Sequence, residues 1–123
     1  RTLEVIATPG HTPDAISLLD RANRLLFTGD TYYPATIWLY RPETNLDAYA
    51  ASIHKLAALA PQIKTVLGAH NIPVAEPSVL PRLVAAFEEV LAGKAIATAG
   101  DPGRVIYKVD GFSFRMRAPE SKP

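Results

Sequence analysis

The sequence predicts an α/β fold, a mixed sheet carrying helices on one face, and three observations carry that expectation. Short apolar runs rich in β-branched residues recur through the first part of the chain and stop at Pro, Gly and Asn turns. Two longer segments, 45–60 and 78–92, repeat their apolar residues at helical spacing instead. Further on, Asp110-Gly111 separates two more strand-like runs, a strong hairpin signal.

Residues 3–7 form the first expected strand, stopped by Pro9-Gly10. Residues 15–20 form the second, and 21–24 turn the chain, with Asn23 suited to a left-handed conformation. Residues 25–28 form the third, ended by Gly29-Asp30. Connections this short make an antiparallel meander, so strands one and three run the same way. His11 and Asp30 then leave the sheet at one edge.

Residues 31–45 hold Tyr32, Tyr33, Pro34, Trp38, Tyr40 and Pro42 and show neither period. They read as a long loop, either a substrate wall or a cover for the edge of the core. Asn45 can cap a helix through about residue 60, with Leu46, Tyr49, Ile53, Leu56 and Ala60 on one stripe. His54 sits beside that stripe and reads as a solvated surface residue. Residues 64–68 form the next strand. With strand three and the helix it makes a βαβ unit, whose crossover sets the two strands parallel. That connectivity brings His70 to the edge already holding His11 and Asp30.

After a loop punctuated by Pro73 and Pro77, Ser78 can cap a second helix through about residue 92, with Gly93 as its stop. Its stripe is Leu80, Leu83, Val84, Phe87 and Leu91, and Pro81 falls in the first turn, where a missing N–H costs little. Residues 94–103 are small and turn-rich, and 105–109 with 112–116 form the hairpin. One domain is expected over 1–117, with a polar tail at 118–123.

Composition narrows the function. At 123 residues the chain is one domain at most, or part of one. A net charge of +1 raises no strong field for nucleic acid or an anionic membrane. No apolar run reaches the ~18 residues that span a bilayer. With no cysteine, disulfides, thiol nucleophiles and thiolate metal sites are all excluded. The chain opens on Arg1-Thr2-Leu3 rather than Met, which reads as a cut end with no signal peptide visible.

Two histidines and a carboxylate suit zinc or another first-row divalent metal, so His11, Asp30 and His70 are the candidate ligands. Each also has a plainer use. Asp30 could cap the turn after Gly29, and either histidine could be a hydrogen-bonded loop residue.

The local words carry more. Thr8-Pro9-Gly10-His11-Thr12-Pro13, Leu26-Phe27-Thr28-Gly29-Asp30-Thr31 and Val66-Leu67-Gly68-Ala69-His70 occur in this order. Together they resemble the last three metal-binding motifs of the metallo-β-lactamase superfamily, over about residues 3–92. The resemblance implies the C-terminal half of that family's αββα sandwich, whose other sheet face packs against the N-terminal half. It assigns His11 to the first metal, Asp30 to a catalytic position bridging both ions, and His70 to the second metal. It further implies two zinc ions, with iron or manganese as alternatives. The activity implied is hydrolysis of a small-molecule acyl bond such as a thioester, lactone or β-lactam by metal-activated water.

The family's earlier motif, His-x-His-x-Asp-His, is absent from these 123 residues, which hold three histidines in all. The third word also reads Gly-Ala-His-Asn, where many members have Gly-His-Gly. The resemblance therefore implies a site that this chain alone leaves incomplete. A homodimer, or association with the missing N-terminal half, is the expected assembly. The alternative is a non-catalytic fragment or scaffold that keeps the fold without the reaction.

Overall fold

A computed structural model describes residues 2–68, 74–99 and 102–118. The meander forms as expected: β1 (Glu4–Ala7), β2 (Ile16–Asp20) and β3 (Leu25–Gly29) pair antiparallel in sequence order. β5 (Thr65–Gly68) joins β3 in parallel, and the short β6 (Val74–Ala75) closes the far edge. Helix α1 (Leu46–Leu59) makes the crossover, its first turn capped by the Asn45 side chain, which accepts from Ala48 N at 2.9 Å.

The strands divide between two mixed sheets rather than lying in one. The segment expected as a loop contains β4 (Thr36–Leu39), which pairs in parallel with β9 (Phe112–Arg117). The hairpin partner β8 (Arg104–Val109) and the short β7 (Ala97–Ala99) complete the order β4-β9-β8-β7. The turn-rich 94–103 stretch thus also holds a strand. β4 escapes a local reading because its partner β9 lies far along the chain, whereas β7 is three small residues that pair with the nearby β8.

Both sheets turn a buried face to the helices. Leu19, Leu26 and Val66 from the first sheet and Ile37, Phe114 and Met116 from the second join one hydrophobic cluster with residues of α1 and α2 (Val79–Leu91). Phe87 of α2 sits at its centre, 4.9 Å from the Tyr49 ring and 5.3 Å from the Phe114 ring. Ser78 does not cap α2 with its side chain.

The outward face of the first sheet is apolar. Val5, Leu18, Phe27, Leu67 and Val74 stand opposite one another in a single cross-strand row. Val5 is 66% exposed and Val74 55%.

One local expectation is corrected at the β2–β3 turn. Arg24, not Asn23, takes the positive φ of 58°. Asn23 is held elsewhere: its backbone N and Nδ2 both donate to the Asp20 carboxylate, at 3.1 and 3.0 Å.

Candidate metal centre

His11 sits in the loop after β1, and that loop is pinned from several sides. Thr8 N donates to Ala15 O at 2.9 Å, Asn45 N to Gly10 O at 2.9 Å, and Ser52 Oγ to Pro9 O at 2.7 Å. Gly10 is required here for two reasons. Its φ is 148°, and a Cβ would lie 2.4 Å from the Tyr49 Cα, inside the backbone of α1. The Pro-Gly word is therefore what lets the loop lie against the helix.

Asp30 sits in the turn after β3, stabilised by Thr31 N donating to Thr28 O and Thr28 Oγ1 donating to Tyr32 O. A chain of buried hydroxyls joins this turn to the His11 loop. Thr31 Oγ1 donates to Thr8 Oγ1 at 3.2 Å, and Thr8 Oγ1 lies 3.2 Å from Ser17 Oγ. The fully buried Tyr49 hydroxyl donates to Thr31 O at 2.7 Å, tying the turn to α1.

These supports bring two predicted residues together. His11 Nε2 faces Asp30 Oδ2 at 4.0 Å, with the imidazole buried and the carboxylate half exposed. The other ring nitrogen, Nδ1, lies 2.5 Å from the Trp38 carbonyl oxygen, to which it donates. In the neutral ring that bond places the lone pair on Nε2, the nitrogen facing Asp30. A metal-ligating histidine is characteristically oriented in this way, by a carbonyl on its second nitrogen. Bonds of about 2.1 Å from each donor atom to one ion would span the gap. The pair offers one nitrogen and one carboxylate donor, types suited to a divalent metal, at a separation that opens a wide angle at a shared ion.

His70 lies outside the described residues. The last described residue before it, Gly68 of β5, is registered beside Gly29 of β3. A Cβ on Gly68 would come within 2.9 Å of Tyr32 O and Tyr33 Cβ, so this position also needs glycine. Among the described residues, no three His, Asp or Glu side chains converge as a metal site. His54 pairs with Glu88 on the helix surface at 2.8 Å, consistent with a solvated role.

Residues of the 31–45 segment surround the pair. A cavity of about 490 Å³ is lined by His11 and Asp30 together with Tyr33, Thr36, Trp38 and Arg41. The aromatic segment after Asp30 had offered a substrate wall with Tyr33 and Trp38 among its residues, whereas Thr36 and Arg41 carried no signal. Burial, and secondarily the nearby Asp30 charge, raises the Tyr33 phenol above its ordinary range. Tyr33 therefore stays a neutral donor, bonded to Thr36 O at 2.9 Å.

The chain belongs to the metallo-beta-lactamase superfamily, whose family profile matches residues 1–70. Over 72 residues it is 33% identical to the acyl-coenzyme A thioesterase MBLAC2 of Gallus gallus. That match covers 57% of this chain and 26% of the relative, so the chain spans about a quarter of the curated relative's length.

Solved structures agree on the fold. The metallo-beta-lactamase family protein TTHA1429 of Thermus thermophilus aligns with a TM-score of 0.63 at 22% identity, over 74% of this chain and 32% of that one. The metallo-beta-lactamase of Pontibacter korlensis aligns at 0.58 and 24% identity, over 70% and 41%. TTHA1623, solved in a di-iron-bound form, aligns at 0.57 and 26% identity, over 65% and 40%. The α/β architecture read from the sequence is thus that of part of this family's fold.

Proposed function

We propose that this chain supplies one half of a metal-dependent acyl hydrolase site, with His11, Asp30 and His70 as its metal ligands. The observation that carries the reading is the oriented pair: His11 Nε2 facing Asp30 Oδ2, with Nδ1 held by Trp38 O. Zinc suits a nitrogen-and-carboxylate donor set, and iron or manganese are alternatives. The similarity to a protein solved with two irons supports a metal at this position and leaves its identity open. When bound, such ions would acidify water near neutral pH and polarise an acyl carbonyl.

The protein's own residues would do the rest. His11 is locked in the ligand-ready tautomer, Asp30 brings a negative charge to balance the cations, and Trp38 and Arg41 wall the substrate. A thioester is the leading substrate class, because the curated relative is named as an acyl-coenzyme A thioesterase; lactones and β-lactams fit the same chemistry. The remaining ligands would come from a His-x-His-x-Asp-His motif outside these residues.

A second reading, a scaffold without activity, draws on the pairwise character of the site among the described residues. Zinc calorimetry separates the two. The 123-residue chain should take up zinc weakly, and His11→Ala combined with His70→Ala should abolish that uptake. Equal uptake by the double variant would move the site elsewhere.

A further inference from the structure

We infer that the outward face of β4, β9 and β8 holds the phosphate-bearing, ring-bearing carrier of the substrate, a nucleotide joined to its acyl group through a thioester. This rests on the thioester reading above. The strand register supplies the first observation. Trp38 stands opposite Arg115 across β4–β9, while Arg104 stands opposite Arg117 and Lys108 opposite Ser113 across β8–β9. Four cations therefore share one face, and the described strand positions on that face hold no Asp or Glu. Arg104 and Arg117, directly opposed, present guanidinium donors from neighbouring strands to an anion laid across them.

The aromatic rings supply the second observation. Trp38 is 44% exposed, with its ring 5.8 Å from that of Tyr40. The Arg115 guanidinium lies 5.8 Å from the Trp38 ring, and that of Arg104 lies 3.8 Å from the Tyr40 ring. Flat rings interleaved with guanidinium groups offer both things a nucleotide needs, a stacking surface for the base and charge-assisted donors for its phosphates.

Continuity with the site is the third. Trp38 and Thr36 line the cavity that holds His11 and Asp30. Thr36, Tyr33 and Ala35 also line a second cavity of about 470 Å³, together with Lys108 and the ion pair of Arg82 with Asp110. An acyl group held at His11 and Asp30 would therefore leave its carrier over Trp38, directed towards Lys108.

Trp38 is the single tryptophan, so its fluorescence reports this face without a label. The experiment titrates the chain, with no metal added, with coenzyme A, with pantetheine (the same thiol arm without phosphate or base), and with a short oligouridine RNA. Coenzyme A should quench saturably and pantetheine should not. Raising the salt from about 50 to about 300 mM should weaken coenzyme A binding several-fold, as phosphate contacts are screened. Arg115→Gln with Lys108→Gln should weaken it about tenfold or more, given the strength of charge-assisted bonds. If that pair fails to fold by circular dichroism, Lys108→Gln alone, at an exposed position, should still weaken it measurably.

Failure of coenzyme A to quench, equal binding of pantetheine, no effect of either variant, or tighter binding of the RNA would each overturn the inference. Hydrolysis plays no part in the readout. Thioester turnover without coenzyme A quenching would sink this inference alone. Quenching that is retained where His11→Ala with His70→Ala takes up as much zinc as the unaltered chain would sink only the reading of the metal site.

Discussion

The two sheets use the same alternation of side chains and put it to opposite uses. Each buries one apolar face against α1 and α2, yet their outward faces differ in kind. On the first sheet that face is a row of Val5, Leu18, Phe27, Leu67 and Val74. On the second it carries Trp38, Arg104, Lys108 and Arg115. An apolar row of this length lowers its free energy only by meeting another apolar surface. A basic and aromatic face gains nothing from that and a good deal from an anion with a ring. One fold thus presents a surface suited to protein and a surface suited to ligand, with the His11–Asp30 pair beside the latter.

The sharpest way to break this comparison is to attack what the sheets have in common. Phe114 is fully buried on the inner face of β9 and meets Phe87, which in turn meets Tyr49. Phe114→Ala should cost about 3–5 kcal/mol by urea denaturation, the range for an aromatic cavity in a core. Because the cluster is continuous, both sheets should unfold in the same transition. A second transition, with the β1–β3 meander surviving, would show that the sheets are separately stable.

The outward face of the first sheet gives the next effect. We propose that it is covered in solution, by a second copy of the chain or by the N-terminal half of a sandwich. At tens of micromolar, light scattering should find the chain associated. Leu18→Lys with Phe27→Lys, central in the row, should weaken that association by about a hundredfold, since each lysine would bury an unpaired charge. A wild-type chain that is already a monodisperse monomer would end this reading. The same pair of changes should leave coenzyme A binding untouched, because it lies on the other sheet.

Much of this was legible in the sequence wherever structure depends on near neighbours. The meander, the Asn45 cap and the Asp110-Gly111 hairpin follow from residues close in sequence, and the βαβ crossover, which joins strands about 40 residues apart, follows from the α-helix between them. Asp110 and Gly111 take positive φ values of 50° and 83°, as a tight hairpin turn asks. His11 and Asp30 also meet as connectivity required. What could not be read was β4, because Thr36–Leu39 is held as a strand by residues 113–116, far along the chain. With β4 hidden, so were the Trp38 carbonyl that orients His11 and the basic face itself. The glycine at position 10 was visible as a turn, but its close approach to Tyr49 belongs to tertiary structure and left no local trace.

The smallest effect concerns Tyr49, which links the Asp30 turn to the second sheet's core. Its hydroxyl donates to Thr31 O at 2.7 Å, and its ring meets Phe87 edge-on. Complete burial, followed by the neighbouring Tyr33 and Tyr32, pushes its phenol far above the ordinary range. Folding stability drawn from a raised pKa is fully present below the unfolded value of about 10 and is lost as pH rises beyond it. At pH 7, Tyr49→Phe should therefore cost about 1–2 kcal/mol, the loss of one buried bond that leaves the Thr31 carbonyl unpaired. The gap between variant and wild type should narrow between about pH 10 and 11.5, because phenylalanine has no proton for the unfolded chain to release. Tyr32 and Tyr33, whose phenols are also raised, would keep part of the alkaline slope in both proteins. Denaturant midpoints measured across that window check the sign. A gap that widens with pH would mean that Tyr49 ionises more readily in the folded chain, against its burial between helix and turn.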